Sequence, residues 1–137
     1  MVRLSLATAA LLPLALAIAC SDEPNVPEDE RSRQIAGVAE LATNAYAAAG
    51  PDGLYDYLAK DVAAECSKEA LSKALDAEPV PDGFRRVSNV QFDGRKARAT
   101  VTLLFVEEER QVEWSFVLEN ETNWRLTDVP GLEGCAN

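Results

Sequence analysis

Histidine is absent from all 137 residues of the sequence, methionine occurs once and cysteine three times. Without an imidazole, Ser-His-Asp, Cys-His and Asp-His catalysis are all excluded, since each moves a proton through that ring. Three cysteines and no histidine leave no expectation of a zinc site, which normally takes four nitrogen or sulfur ligands. There is no G-x-S-x-G elbow, no glycine-rich phosphate loop and no C-x-x-C redox spacing. Basic residues are scarce: 13 Lys and Arg stand against 23 Asp and Glu, for a net charge of -10. Nucleic acid and anionic lipid headgroups both bind clustered cations, so neither is an expected partner. No cofactor is expected either.

Also missing is an apolar run long enough to cross a bilayer, which takes about 20 residues. The longest, Leu4 to Ile18, is broken by Ser5, Thr8 and Pro13. It follows Arg3 and ends in small residues before a cysteine, which is the layout of a secretory signal peptide over residues 1–19. The junction Ala17-Ile18-Ala19-Cys20 resembles the lipobox of bacterial lipoproteins, with Ala17 where leucine is commonest. That resemblance implies diacylglycerol on the Cys20 thiol, cleavage on its N-terminal side, and anchoring to the cell membrane or outer membrane. Cleavage there leaves 118 residues and removes Arg3, so the net charge becomes -11. One compact domain fits that length.

With Cys20 assigned to lipid, Cys66 and Cys135 remain, and in an oxidising compartment two cysteines normally pair. Such a disulfide would close a loop worth on the order of 4 kcal/mol in the chain-entropy account. Residues 20–30 carry Pro24, Pro27 and five acids after the lipidated cysteine, and read as a solvated acidic tether of roughly 35 Å at full extension. A single domain is expected over residues 31–137.

Apolar spacing in the first half is helical. Ile35, Val38, Ala39, Ala42, Ala45, Tyr46 and Ala49 share one face, with Glu28, Asp29 and Glu30 ahead of them and Gly50-Pro51 as a stop. A shorter unit from Asp52 uses Leu54, Tyr57, Leu58 and Val62; a third opens at Ser67 as N-cap and buries Ala70, Leu71, Ala74 and Leu75. Beyond Pro79 and Pro81 the period falls to two. Val87 to Phe92 reads as a strand, Asp93-Gly94 as a tight turn, and Ala97, Ala99, Val101, Leu103 and Phe105 as the buried face of the next strand. The acidic run Glu107 to Glu109 marks another turn. Val112, Trp114, Phe116 and Leu118 alternate again before a last strand at Trp124 to Val129. Helices first and about four meander strands second predict an α+β fold.

This order, ending in Trp124-Arg125-Leu126-Thr127-Asp128-Val129, is similar to the cystatin-like cone of the nuclear-transport-factor-2-like superfamily, in particular its small exported lipoproteins. The resemblance covers about residues 31–132. It implies N-terminal helices packed on a curved antiparallel sheet with a pocket between them, used by some members for isomerase or dehydratase chemistry and by others only for binding.

Tyr46, Trp114, Phe116 and Asp128 are the residues that such a pocket would draw on. Asp128 shares strand parity with Trp124 and Leu126, and with a tyrosine (Tyr46, Tyr55 or Tyr57) it could serve as a carboxylate base of the ketosteroid-isomerase kind. Alternatively it caps the turn before Pro130-Gly131, while Trp114 and Phe116 are plain core. Leu104, Val106 and Val117 have the opposite parity and form either an exposed partner surface or a face covered by the tether or a loop. The sequence therefore favours a membrane-anchored envelope lipoprotein that binds an envelope protein or a small apolar ligand without catalysis. The alternative is a small pocket enzyme of the isomerase or dehydratase kind using Asp128.

Overall fold

The structure, a computed structural model, describes residues 26–135. The signal-peptide segment, Cys20 and most of the tether lie outside the described residues.

Helix α1 runs from Glu28 to Ala49 and buries Arg31, Ile35, Ala39, Ala42, Thr43 and Tyr46, a stripe at helical period. Glu28, Asp29 and Glu30 form its first turn, three residues earlier than the tether boundary expected from sequence. Two causes act together: Pro27 stands as N-cap, and carboxylates favour the positive end of the helix dipole. The helix stops at Gly50, and α2 (Pro51–Tyr55) begins with proline at its first position. At Gly53 a side chain would run into the Ala45 carbonyl, so glycine is what lets α2 fold back onto α1.

The unit expected from Asp52 to Val62 is two helices rather than one. Between α2 and α3 (Lys60–Glu65) the chain becomes extended, and Leu58 lies parallel beside Leu126. Leu126 donates its N–H to the Tyr57 carbonyl at 2.8 Å and accepts from the Ala59 N–H at 2.7 Å. Backbone groups of both segments gain partners there, which a continuous helix would have denied to Leu126. Helix α4 (Lys68–Ala74) opens as the sequence predicts, with the Ala70 N–H donating to the Ser67 hydroxyl at 3.1 Å.

Four antiparallel strands follow in a meander, β1 (Gly83–Asp93), β2 (Lys96–Phe105), β3 (Glu108–Leu118) and β4 (Trp124–Asp128), in that spatial order. The fold is α+β, as the change of period predicts. β1 starts four residues before Val87 and carries a register shift between Ser88 and Gln91, where Asn89 adopts a positive φ of 50°. Asparagine tolerates that conformation better than most residues. Glu108 and Glu109 belong to β3, and the turn itself is Val106-Glu107. The inner sheet face presents Ala97, Ala99, Val101, Leu103, Trp114, Phe116, Leu118, Trp124 and Leu126, all buried, and α1 lies across it.

After β4 the chain bends at Gly131, with φ 93°, where a Cβ would come within 2.8 Å of the Leu75 and Glu78 side chains. A 3-10 turn over Leu132–Gly134 then delivers Cys135 to Cys66 with their Cα atoms 5.6 Å apart. This disulfide pins the end of the described chain to the junction of α3 and α4. Among the described residues no helix is long and apolar enough to cross a membrane.

Candidate functional site

The four pocket residues are spread over three hollows: Tyr46 and Trp114 line one, Phe116 an open one of about 330 Å³ beside Phe92 and Thr127, and Asp128 a third. Under α1, Trp114 and Phe116 are both only 1% exposed, with ring centroids 6.5 Å apart and planes tilted by 49°. Tyr46 is buried in the last turn of α1. Between helix and sheet lies a recess of about 50 Å³, lined by Tyr46, Leu103, Phe105, Trp114 and Val129, with Glu78 and Arg110 also on its wall. Phe116 and Asp128 do not line it. Burial raises the pKa of the Tyr46 hydroxyl, and the Glu78 carboxylate adds to the rise by disfavouring a second negative charge.

Asp128 stands elsewhere. In the β3–β4 ladder Phe116 faces Leu126 while Ser115 faces Asp128, so Thr127 is an extra residue on β4. Such a bulge reverses side-chain parity beyond it. Asp128 thereby leaves the inner face of Trp124 and Leu126 and is exposed. It lines an open cleft of about 220 Å³ between α3, the end of β4 and the 3-10 turn. The walls carry Asp61, Glu65, Asp128 and Glu133, with Val62, Leu132 and the Cys66–Cys135 disulfide between them. Burial against this wall raises the pKa of the Asp128 carboxyl from its ordinary value; Glu133 and Glu113 push it further, and a hydrogen bond with the Val129 backbone opposes them. Among the described residues no group of three acids or cysteines is close enough to hold a metal ion.

The outer sheet face offers no single apolar patch. Leu104 pairs with Glu109 and Val117 with Lys96, which puts them eight positions apart along β2, about 26 Å at roughly 3.3 Å per residue. Val106, 87% exposed, sits by itself in the β2–β3 turn. Between the two ends the face is polar, with Arg98 donating to Gln91 and lying 3.7 Å from Glu113.

One polar residue escaped the sequence reading. Arg31 is buried among aromatic groups, its guanidinium 4.3 Å from the centre of the Phe92 ring. The signal was present, since Arg31 stands one helical turn before Ile35 on the apolar stripe of α1. Beside it the Trp124 Nε1–H donates to Gln34 Oε1 at 3.0 Å, joining the start of α1 to the start of β4. Compared with protein-family models, with curated proteins and with solved structures, the chain matches none.

Proposed function

We propose that this chain is a lipid-anchored envelope protein whose domain binds a partner or ligand at its surface and does not catalyse. The observation that carries the reading is the filled interior. Trp114, Phe116, Trp124, Leu126 and Ile35 occupy the space under α1 at 1% exposure or less, and the recess beside Tyr46 is about 50 Å³. A ligand pocket commonly takes 300 Å³ or more. Proton transfer without histidine calls for a carboxylate poised beside an oxyanion donor. Asp128 and Tyr46 line separate cavities, so the Tyr46 hydroxyl does not complete a site with that carboxylate.

The anchor part of the proposal rests on the residues around Cys20, and the likeness to a nuclear-transport-factor-2-like cone rests on the order of helices and meander strands. A second reading, a pocket enzyme using Asp128, draws support from the raised pKa of that carboxyl in its cleft. The two separate in one experiment. Asp128→Asn should keep the biological role, and an enzyme would lose it. Cys20→Ser should lose membrane retention and N-terminal processing; a Cys20→Ser protein that still fractionates with membranes with the same mature N-terminus would overturn the anchor.

A further inference from the structure

We infer that the cleft between α3, the end of β4 and the 3-10 turn is an electrostatic filter on the reduction of the Cys66–Cys135 disulfide in its wall. It turns away thiols that carry further negative charge and admits those that carry a positive group. The two cysteines are 2% and 8% exposed, and both line this cleft of about 220 Å³. A reducing thiol therefore meets the bond from the cleft side while the fold stays closed. Asp61, Glu65, Asp128 and Glu133 stand on the same walls. Among the described residues no Lys or Arg lines the cleft, and none of these four acids is held in an ion pair.

Apolar walls sharpen the effect. Val62 and Leu132 lie between the acids, and a cleft with low-dielectric walls and charge of one sign focuses its field on whatever enters. Burial first, then Glu133 and Glu113, raise the pKa of Asp128, so the carboxylates of this corner already crowd one another. The Debye length is about 10 Å at 0.1 M salt and about 3 Å at 1 M. In a cleft this small the carboxylates act on an entering charge in dilute buffer and lose most of that action in strong salt.

Exchange begins when a thiolate attacks Cys135 Sγ, the sulfur of the more exposed cysteine. A bond forms between the reductant's sulfur and Cys135 Sγ, the disulfide breaks, and its electron pair leaves on Cys66 as a thiolate that takes a proton from solvent. A second thiolate attacks the reductant's sulfur in the mixed disulfide and releases Cys135, which is protonated in turn. Two reductant thiols become one disulfide, and two electrons and two protons pass to the cysteines. The attacking sulfur is anionic in every case, so what the cleft sorts is the remaining charge of the reductant. The tie from the chain end to the junction of α3 and α4 is thus released by a reductant whose charge suits the cleft.

The test is a set of reduction rates on the full oxidised chain, read by alkylation and peptide mapping at Cys66 and Cys135. The thiolates of 2-aminoethanethiol, 2-mercaptoethanol and 2-mercaptoethanesulfonate carry a net charge of zero, one negative and two negative. Each rate is divided by that of the same thiolate on the uncharged bis(2-hydroxyethyl) disulfide, which removes differences in nucleophilicity. The quotient should fall roughly tenfold from the first thiol to the third, the scale for unit charges a few ångströms apart in water. In strong salt the fall should shrink to about twofold or less. Asp128→Asn with Glu133→Gln should speed the sulfonate about threefold and leave the aminothiol nearly unchanged. Glu107→Gln, in the exposed β2–β3 turn, should change neither. A quotient independent of charge, resistance to all three thiols, or a rate that saturates with thiol concentration at the rate of unfolding would overturn the filter. So would an equal gain from Glu107→Gln, which would trace the selection to the charge of the whole molecule. Lipid on Cys20 has no part in these readouts, and membrane fractionation of Cys20→Ser tests it separately.

Discussion

The space under α1 and the corner where α3, α4 and the chain end meet are held by different means. Under α1, large side chains interlock: Trp114, Phe116 and Trp124 from two strands meet Ile35 and the small Ala39 and Ala42 of the helix. At the corner no residue of α3 is fully buried, and α4 buries Leu71 within its span. What fixes the corner is the Cys66–Cys135 bond, the Ser67 cap and the pairing of Leu58 with Leu126. The first region is secured by area removed from water; the second buries Leu71, Leu75 and Leu132 in the same core and adds a covalent tie across it. The acidic cleft opens beside α3, the helix that contributes no fully buried residue, against the end of β4 and the 3-10 turn.

The comparison is broken most severely from the core side. Trp114→Ala should cost about 3–5 kcal/mol, the range for deleting a large buried aromatic, read as a fall in the midpoint of denaturant unfolding. A loss near 1 kcal/mol would mean that the interior is looser than its burial indicates.

Reduction of the disulfide comes next, at about 2–5 kcal/mol. Its effect should be uneven. Amide exchange should rise first in α3 and in Val129–Cys135, while Val101, Phe116 and Leu126 stay protected. Uniform loss of protection would show that the corner and the interior unfold as one unit. Peptide mapping without reductant should recover the Cys66–Cys135 pair.

Asp128→Asn gives the smallest effect and sharpens the picture of the acidic cleft. A carboxyl whose folded pKa is raised binds its proton more tightly in the folded chain. Stability therefore falls as pH climbs from the unfolded value of about 3.9 through the folded one, and it stays reduced at neutrality. The neutral amide of the variant has no proton to lose, so Asp128→Asn should melt slightly higher than the parent at pH 7 and equally at pH 3. The gain is small because exposed charge is screened. A variant that melts lower at pH 7 would show that the carboxylate is held by an attraction rather than crowded by its neighbours.

Much of this fold was legible because its signals are local. Ala97 to Leu103 alternate on one strand, Asp93-Gly94 turns the hairpin, Ser67 caps α4, and two leftover cysteines find each other. What the sequence hid was set by distant partners. The Leu54–Val62 unit splits because Leu58 meets Leu126, nearly seventy positions away. Asp128 changes face because one extra residue, Thr127, is absorbed against β3. Leu104 and Val117 share parity, but parity says nothing of distance along the strand, and register puts them at opposite ends. Arg31 was passed over because an arginine at the head of a helix reads as solvated, whereas the Phe92 ring that covers its guanidinium arrives from β1.

The disulfide also divides the molecule topologically. Its two cysteines are 69 positions apart, and the ring they close contains α4, all four strands and the 3-10 turn. Helices α1, α2 and α3 lie outside that ring. A protease that cuts the exposed Val106-Glu107 turn would yield two fragments that still travel as one covalent molecule, each retaining its cysteine. A cut between α1 and α3, at Gly50 for example, would leave α1 attached by packing and hydrogen bonds alone. If the lipid sits upstream of α1, the second kind of cut leaves the sheet held to the membrane by noncovalent contacts alone, whereas the first leaves the covalent link intact.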